Sequence, residues 1–208
     1  MWEQTLWVLV SVAGFIVVWL PGLGPGRIKT IANWTGIAIF SIPWFWLPFT
    51  AQPRISGVLG IILTIVGILF FIFGLALCRM ASRKIFEVVG WAGHAEPSGL
   101  VTEGTYGFVR HPIYSGLFMG MFGWSLVWEG VYSIILTPIL YLLFRLEAWL
   151  EEKLVLEKKF GDAYAAYRKR VPAFFPTILV VPLLTIAILI ILGILLGWVP
   201  IAQTEAIR

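Results

Sequence analysis

Residues 100–116 read Leu100-Val101-Thr102-Glu103-Gly104-Thr105-Tyr106-Gly107-Phe108-Val109-Arg110-His111-Pro112-Ile113-Tyr114-Ser115-Gly116. This polar segment runs directly into a long apolar stretch, and nowhere else in the chain do Arg, His, Pro and two Tyr lie so close together. Pro112 is typical of the first residue of a helix, because its missing N–H would have no intrahelical partner there. Arg110 and His111 therefore precede a predicted helix start, where free N–H groups and the helix dipole favour an anionic group. By themselves, the two residues fit membrane-surface anchors equally well.

The composition of the 208 residues is that of a membrane protein. Hydrophobic residues make up 60% of the chain and charged residues only 12%, about half the charged share of a soluble domain. Four runs without Asp, Glu, Lys or Arg reach the length of about 20 residues that a spanning helix needs: 5–26, 31–52, 57–78 and 178–202. Two shorter runs, 113–128 and 131–144, are separated only by Glu129-Gly130 and predict a helical hairpin whose second arm continues towards Trp149.

These runs predict an all-α, polytopic membrane fold with about six transmembrane helices. The polar loops before residue 112 and after residue 145 share one side, because a single hairpin separates them. That side would hold 13 of the 15 Lys and Arg residues, and an excess of basic residues marks the cytoplasmic side. We therefore predict a cytoplasmic polar face with both termini on the opposite side. The same asymmetry accounts for the pI of 9.4, which thus does not indicate nucleic-acid binding.

The sequence predicts two regions in the chain. Residues 1–80 form an N-terminal three-helix transmembrane region, and residues 81–208 form the region that carries the chemistry. The second region comprises a loop over 81–112, the hairpin over 113–149, an amphipathic cytoplasmic segment over 150–176 and the last transmembrane helix over 178–202. In the amphipathic segment, apolar side chains recur at helical intervals among basic ones, with a predicted break near Gly161.

Metal chemistry is not predicted. His94 and His111 are 17 residues apart without Cys or acidic residues at usable spacings. His94 fits a solvated loop or a ligand contact. The single Cys78 lies in an apolar run, where packing is its expected role.

A second polar cluster follows the hairpin and holds Arg145, Glu147, Glu151 and Glu152. Glu147 and Glu151 share one helical face, because they are four residues apart. Carboxylates gain nothing from an anionic lipid surface, so a cationic partner is expected. Arg110 or Arg145 would serve structurally, and a positively charged ligand would serve functionally.

The two clusters resemble the isoprenylcysteine carboxyl methyltransferase family and the related membrane phospholipid methyltransferases. The resemblance covers about a third of the chain and rests on elements that occur in a fixed order: Gly104-Thr105-Tyr106, Arg110-His111-Pro112-Ile113-Tyr114, the hairpin, Glu151-Glu152, Leu156, Phe160-Gly161, Tyr164, Tyr167 and Val171-Pro172. One departure concerns the acids, which in the family usually lie eight and seven residues before the Phe of Phe-Gly. Glu152 and Lys153 occupy those positions here, and Glu151 precedes them.

The resemblance implies a membrane methyltransferase that binds S-adenosyl-L-methionine at the cytoplasmic face, in a pocket formed by the C-terminal half. The residues that it assigns to the cofactor are Leu100, Val101, Tyr106, His111, Pro112, Tyr114, Glu151 and Glu152. Arg110 and Glu152 would act in catalysis: Glu152 pairs the cofactor's ammonium, while Arg110 or the helix start holds its carboxylate. The face of Tyr106 or Tyr114 would stabilise the sulfonium by about 0.5–2 kcal/mol.

The methyl acceptor is expected to be lipophilic, because a cytosolic acceptor gives no reason to surround the site with membrane spans. An isoprenylcysteine-type carboxylate needs no base, whereas a phospholipid amine must lose a proton, for which His111 or Glu152 are the candidates. Small residues along the spans, Gly60, Gly67, Gly74, Gly116 and Gly120, serve helix packing or admit a lipid chain.

Two other classes of function stay open. An NADPH-dependent membrane enzyme of the sterol-reductase type would need more basic residues converging on the pocket than the sequence offers. A non-enzymatic transporter or scaffold lacks the mid-span charges and the inverted repeat that transport sites often have. Membrane lipids are expected partners, and the oligomeric state is left open.

Overall fold

The computed structural model describes residues 2–19, 27–89 and 99–174, and near the C-terminus 185, 188–189, 191–193, 195–198 and 201–203. The α-helices of this part are α1 Trp2–Val18, α2 Arg27–Trp46, α3 Gly57–Val89, α4 Pro112–Val127, α5 Val131–Ile135, α6 Thr137–Glu151 and α7 Glu157–Arg170. Short 3-10 turns lie at Leu47–Phe49 and Gly104–Gly107, and a π-helical turn at Glu152–Leu156 joins α6 to α7. Two short strands, β1 Pro53–Ile55 and β2 Ile201–Gln203, were not predicted. The predicted helical character is confirmed.

Two helical stretches in the described residues are long and apolar enough to cross a membrane, Gly57–Ile85 and Val131–Arg170. Only 22% of the most apolar window of the first is buried, so most of its apolar side chains face outward and suit lipid. The second stretch has 40 residues and comprises α5, α6, the π-helical turn and α7, whereas about 20 residues suffice to cross a hydrocarbon core. Together with the apolar composition of the chain, these two stretches indicate a helical membrane protein.

Helices α3 and α4 pack closely through small residues on both. A Cβ on Gly74 would lie 2.5 Å from the backbone of Gly116 and Gly120, and a Cβ on Gly67 would lie 2.7 Å from Gly123. These distances leave no room for a side chain, still less for a lipid chain. The small-residue face thus serves helix packing, the first of the two predicted roles.

Helices α1 and α2 form a second pair that is held by buried polar side chains. Ser11 Oγ donates to Phe40 O at 2.8 Å and accepts a hydrogen bond of 2.8 Å from Trp44 Nε1. Gln4 Nε2 donates to Thr50 Oγ1 at 3.0 Å. These bonds satisfy polar groups inside an apolar environment, where an unpaired group would be costly.

Three stretches that are far apart in the sequence meet at the end of the helices near β1. β1 pairs with β2 in antiparallel register, and Arg54 forms a β-bridge with Gly130 at the tip of the hairpin. Gln52 Nε2 donates to Ser133 Oγ at 3.0 Å. The α2–α3 turn, the hairpin tip and residues 201–203 therefore share one end, and Pro112 lies at the other end of α4.

Several boundaries differ from the prediction. α3 continues to Val89, past the predicted region border at residue 80 and into the predicted loop, because residues 79–89 contain no Pro or Gly. α2 ends at Trp46, six residues before the predicted end, because Pro48 opens a 3-10 turn. The second hairpin arm is interrupted between α5 and α6. The break near Gly161 is confirmed by a non-helical backbone with φ +48°.

Parts of the predicted features fall outside the described residues. These are residues 21–26 of the first apolar run, His94 in the predicted loop and most of the last span over 178–202.

Candidate active site

A cavity of about 330 Å³ lies at the end of the helices where α4 begins. This volume is at the lower end of the range for small-molecule pockets, about 300–1,000 Å³. Its walls come from α3, the segment before α4, the first turn of α4, the junction of α6 with the π-helical turn, and α7. The two polar clusters of the sequence therefore meet at one cavity.

Seven of the residues assigned to the cofactor line this cavity: Leu100, Val101, Tyr106, His111, Pro112, Tyr114 and Glu151. Arg110 also lines it. Glu152 does not; it is buried at the junction of α6 and the π-helical turn.

Further lining residues were not assigned by the sequence analysis: Ile85, Gly99, Ile113, Leu156, Phe160, Tyr164 and Tyr167. The last four belong to the apolar face of the amphipathic segment, so their helical spacing was the signal that could have identified them. Ile85 gave no signal, because it fell within a predicted loop.

Arg110 connects the start of α4 to the end of α7. Its Nε and Nη2 donate to Oε1 of Glu152 at 3.0 and 2.8 Å, and its Nη1 donates to the carbonyls of Arg168, at 3.1 Å, and Val171. Four of the five guanidinium N–H groups are thus used. The side chains of Arg110 and Glu152 are only 10% and 9% exposed. The sequence predicted that both residues contact the cofactor. In the structure, Arg110 and Glu152 are paired with each other.

His111 lies between two carboxylates. Its Nε2 is 2.8 Å from Oε1 of Glu152, and its Nδ1 is 3.4 Å from Oε2 of Glu151. Burial alone would lower the pKa of His111, but the hydrogen bonds and charges of Glu151 and Glu152 outweigh it and raise that pKa. The ring also stacks on Tyr114, with centroids 5.5 Å apart. This environment favours the imidazolium form, with both ring nitrogens donating.

We expect the folded protein to lose stability as the pH rises through the raised pKa of His111. The folded-state pKa lies above the unfolded value of about 6.5, so the stabilising contribution is complete below that pH and disappears above the folded-state pKa. Thermal unfolding in detergent between about pH 6 and pH 9 measures the decline. His111→Gln should unfold earlier at the acidic end and lack this alkaline decline. A decline of equal size in the variant would contradict the assignment.

Glu147 and Arg145 precede Glu151 on α6 by about one turn and nearly two turns. Glu147 Oε2 accepts a hydrogen bond of 2.6 Å from Trp19 Nε1, so the structure gives Glu147 a neutral donor where a cationic partner was predicted. Arg145 is exposed, and its guanidinium lies 5.3 Å from the ring centroid of Phe174. Within the described residues, no carboxylate pairs with Arg145.

The fold and the site define a helical membrane protein with an aromatic, partly acidic cavity at one end. Residues 62–163 match the family model described as phospholipid methyltransferase. The chain is 31% identical over 147 residues to the protein-S-isoprenylcysteine O-methyltransferases of Rattus norvegicus and Homo sapiens, covering 64% of this chain and 49% of each relative. It is 37% identical over 79 residues to the enzyme of that name from Schizosaccharomyces pombe, covering 38% of this chain and 34% of the relative. No solved structure matches the chain.

The resemblance predicted from the sequence is thereby confirmed: residues 62–163 match the phospholipid methyltransferase family model, and the named relatives are isoprenylcysteine methyltransferases. The matched region includes α4, the hairpin and the acidic pair. The chain spans about half the length of the curated mammalian relatives that it matches. The matched family and the named relatives are methyltransferases, and enzymes of that kind act with a methyl donor.

Proposed function

We propose that the protein is a membrane methyltransferase that transfers a methyl group from S-adenosyl-L-methionine to a lipophilic carboxylate of the isoprenylcysteine type. The observation that carries this proposal is the cavity beside the membrane spans, where Glu151 faces a set of aromatic side chains within the region of the family match. The names of the relatives support a carboxylate acceptor.

The cavity residues fit this methyl donor, which carries a sulfonium, an ammonium and a carboxylate. Glu151 would pair with the ammonium, because Glu152 is already engaged by Arg110 and His111. Tyr106 or Tyr114 would present an aromatic face to the sulfonium, and cation–π contacts of this kind contribute about 0.5–2 kcal/mol. When bound, S-adenosyl-L-methionine supplies an electrophilic methyl group.

The protein's own contribution would be positioning, and well-oriented reactants are worth about 7–11 kcal/mol. Arg110 and Glu152, which the sequence analysis placed in catalysis, would serve here as positioning residues. Their pairing fixes the start of α4, which carries His111 and Tyr114, against the end of α7.

The environment of His111 favours a carboxylate acceptor over an amine. An amine must give up a proton, whereas a carboxylate is ionised at neutral pH. The hydrogen bonds and charges of Glu151 and Glu152 raise the pKa of His111, and Glu152 is paired with Arg110. Both predicted bases are therefore already engaged by other side chains of the protein.

Arg145 would hold the acceptor's carboxylate. It lies near the predicted membrane exit of α6, it has no acidic partner among the described residues, and its planar guanidinium can bind a carboxylate through two parallel hydrogen bonds. Phe174, over which Arg145 lies, is 6.1 Å from the His111 ring between centroids. A lipophilic acceptor held there would thus have its carboxylate beside the cavity and its chain in the membrane.

A nicotinamide dinucleotide fits the cavity less well. Its phosphates would require basic side chains with donors to spare. Among the described residues that line the cavity, the basic ones are Arg110 and His111, and both are paired with carboxylates. A transporter or scaffold role has no specific observation in its favour.

We also propose a multi-pass arrangement with the cavity at the cytoplasmic face. The α2–α3 turn, the hairpin tip and residues 201–203 share the end opposite the cavity, as a six-span topology requires. Basic residues of α7 and of the cytoplasmic end of α3 lie on the cavity side, as expected of a cytoplasmic face. Residues 1–80 and 81–208 would then be the membrane region and the catalytic region, with α3 shared between them.

The proposal is tested by incubating the detergent-purified protein with methyl-labelled S-adenosyl-L-methionine and one of two acceptors. We expect label in N-acetyl-S-farnesylcysteine and none in phosphatidylethanolamine, because both predicted bases, His111 and Glu152, are engaged by other side chains. Release of the label as methanol in alkali identifies an ester. Arg145→Ala should raise the KM for the farnesylcysteine compound by about tenfold or more, since a charge-assisted hydrogen bond is lost.

Three results would count against the proposal. Label in phosphatidylethanolamine alone would replace the carboxylate acceptor by an amine. An unchanged KM in Arg145→Ala would remove that residue from the acceptor site. Binding of NADPH without binding of S-adenosyl-L-methionine, measured by calorimetry, would remove the methyltransferase activity altogether.

A further inference from the structure

Helix α7 bends sharply at Gly161, so that its second half returns towards its beginning. Gly161 has non-helical backbone angles, with φ +48° and ψ −124°. Beyond the bend, the guanidinium of Arg168 contacts the carboxylate of Glu157, which lies 11 residues earlier. In a straight helix that separation would be about 16 Å, which is too long for this contact. The last turn of α7 therefore lies beside the first turn.

Backbone hydrogen bonds fix the end of α7 at the level where α4 begins. The N–H groups of Arg110 and His111 donate to the carbonyls of residues 172–173, at 2.8 and 3.0 Å. α4 starts at the residue after His111, and the apolar run that the sequence predicts to enter the membrane starts there as well. Lys169 and Arg170, the last two residues of α7, therefore lie close to the membrane surface.

Exposed apolar side chains indicate that lipid reaches the same level. Phe108, two residues before Arg110, is 77% exposed, and Leu154 and Val155, just after Glu152, are exposed as well. Single apolar side chains are common on protein surfaces in water. Three of them on the two segments that flank the start of a span are typical of the membrane interface. The layer around this level is therefore that of the lipid headgroups.

Lys169 and Arg170 are adjacent cations that no acidic side chain of the described residues neutralises. Both side chains are exposed, and no carboxylate in the described part of the chain lies within ion-pair distance of either. Arg168, in the same turn, is paired with Glu157. A Lys or Arg near an anionic bilayer surface strengthens binding by about fivefold. The two free charges thus complement a negatively charged headgroup.

We propose that Lys169 and Arg170 form a binding site for the headgroup phosphate of an anionic phospholipid. This inference goes beyond the proposed function and does not depend on it. The guanidinium of Arg170 can hold a phosphate through two parallel hydrogen bonds, and the ammonium of Lys169 adds a point charge. A zwitterionic headgroup binds less well, because its own cation lies beside the phosphate. The bound lipid would hold the end of α7 where Arg110 contacts the carbonyls of Arg168 and Val171.

The test is a calorimetric titration of the full chain, purified in dodecyl maltoside, with the short-chain anionic lipid dioctanoylphosphatidylglycerol. The double variant Lys169→Gln, Arg170→Gln should weaken binding by about tenfold or more, because two charges at the headgroup level are lost. Dioctanoylphosphatidylcholine, which corrects for entry of lipid into the micelle, should not distinguish the two proteins. The inference is overturned if the wild type does not bind the anionic lipid, or if the double variant binds it equally well.

Lys158→Gln, Lys159→Gln is the matched control, because it removes two charges from exposed positions in the first half of α7. This half continues α6 through the π-helical turn, so Lys158 lies about 9 Å past Glu152 along the helix. That distance is close to the Debye length of about 8 Å at physiological salt, so the control should lose clearly less affinity. An equal loss would show attraction to net charge alone. Binding of inorganic phosphate as tight as that of the lipid would show a site for a soluble anion. Either result would overturn the inference.

Thermal unfolding separates lipid binding from a structural role at the helix end. Basic residues in the last turn also complement the dipole of α7, so the unfolding midpoint of Lys169→Gln, Arg170→Gln should be slightly lower without lipid. A ligand of the folded state raises the midpoint, and dioctanoylphosphatidylglycerol should therefore raise that of the wild type more than that of the double variant. Equal rises would overturn the inference. Neither measurement involves the methyl donor or the acceptor, so failure here leaves the proposed function untouched.

Discussion

Arg110→Ala is expected to lower the free energy of unfolding by about 3–5 kcal/mol, because it leaves the buried carboxylate of Glu152 without its guanidinium partner. The ion pair has an N–O distance of 2.8 Å, and both side chains are almost fully buried. The same substitution removes the donors to the carbonyls of Arg168 and Val171 at the end of α7. The start of α4 and the end of α7 would both lose support, and cofactor affinity should fall with them.

This effect is measured by chemical or thermal unfolding of the purified protein in detergent. Arg110→Lys should be intermediate, because it keeps the charge but not the planar fork that serves Glu152 and the α7 carbonyls together. The double variant Arg110→Met, Glu152→Leu should recover part of the loss, since it leaves no unpaired charge behind.

An exposed ion pair supplies the control. Lys153 Nζ lies 2.9 Å from Glu157 Oε1, and its side chain is 41% exposed; pairs of this kind contribute about 0–1 kcal/mol. Lys153→Ala should therefore change stability little. If Arg110→Ala destabilises no more than Lys153→Ala, Arg110 is not the structural centre that its contacts indicate. Cofactor binding that is lost without any loss of stability would return Arg110 to the role predicted from the sequence.

The sequence was most informative where the pattern was local. The hairpin was predicted from two apolar runs around Glu129-Gly130, because long apolar segments leave few alternatives in a membrane. The break at Gly161 was predicted because a glycine interrupts a helical run there. The convergence of residues 100–114 and 151 on one cavity followed from topology, since a single hairpin brings both segments to the same end.

The choice between Glu151 and Glu152 could not be made from spacing. Neighbouring residues on a helix point about 100° apart, and a π-helical turn begins at Glu152, which shifts the helical phase of the residues after it. Which carboxylate faces the cavity is decided by Arg110 and His111, which lie 42 and 41 residues before Glu152 in the chain. The spacing of residues within the helix itself therefore cannot predict these contacts.

The short strands and the length of α3 escaped prediction for different reasons. β1 and β2 have three residues each and pair across most of the chain, and three residues carry no usable alternation. The basic residues that follow Cys78 were interpreted as the start of a loop. They continue the helix instead, since long basic side chains at the end of a span can reach the membrane surface without unwinding it.

Gly74→Ala is expected to destabilise the protein by about 1–3 kcal/mol or more through overpacking. The new Cβ would lie 2.5 Å from backbone atoms of Gly116 and Gly120, and backbone cannot move aside as a side chain tip can. α3 and α4 would have to separate, and both helices contribute to the cavity through Ile85 and Pro112. The variant should therefore show a lower unfolding midpoint together with weaker binding of S-adenosylhomocysteine.

Gly120→Ala is the matched control on the facing helix. A Cβ built on Gly120 meets nothing within 4 Å, and Ala is favoured over Gly in helices by about 1 kcal/mol. We expect Gly120→Ala to unfold at or above the wild-type midpoint and to bind S-adenosylhomocysteine normally. Similar losses of stability in the two variants would contradict the close packing of α3 on α4. The two substitutions have the same effect on helix propensity and differ only in the space around the new Cβ. A loss confined to Gly74→Ala would show that the α3–α4 contact holds the two walls of the cavity at their observed separation.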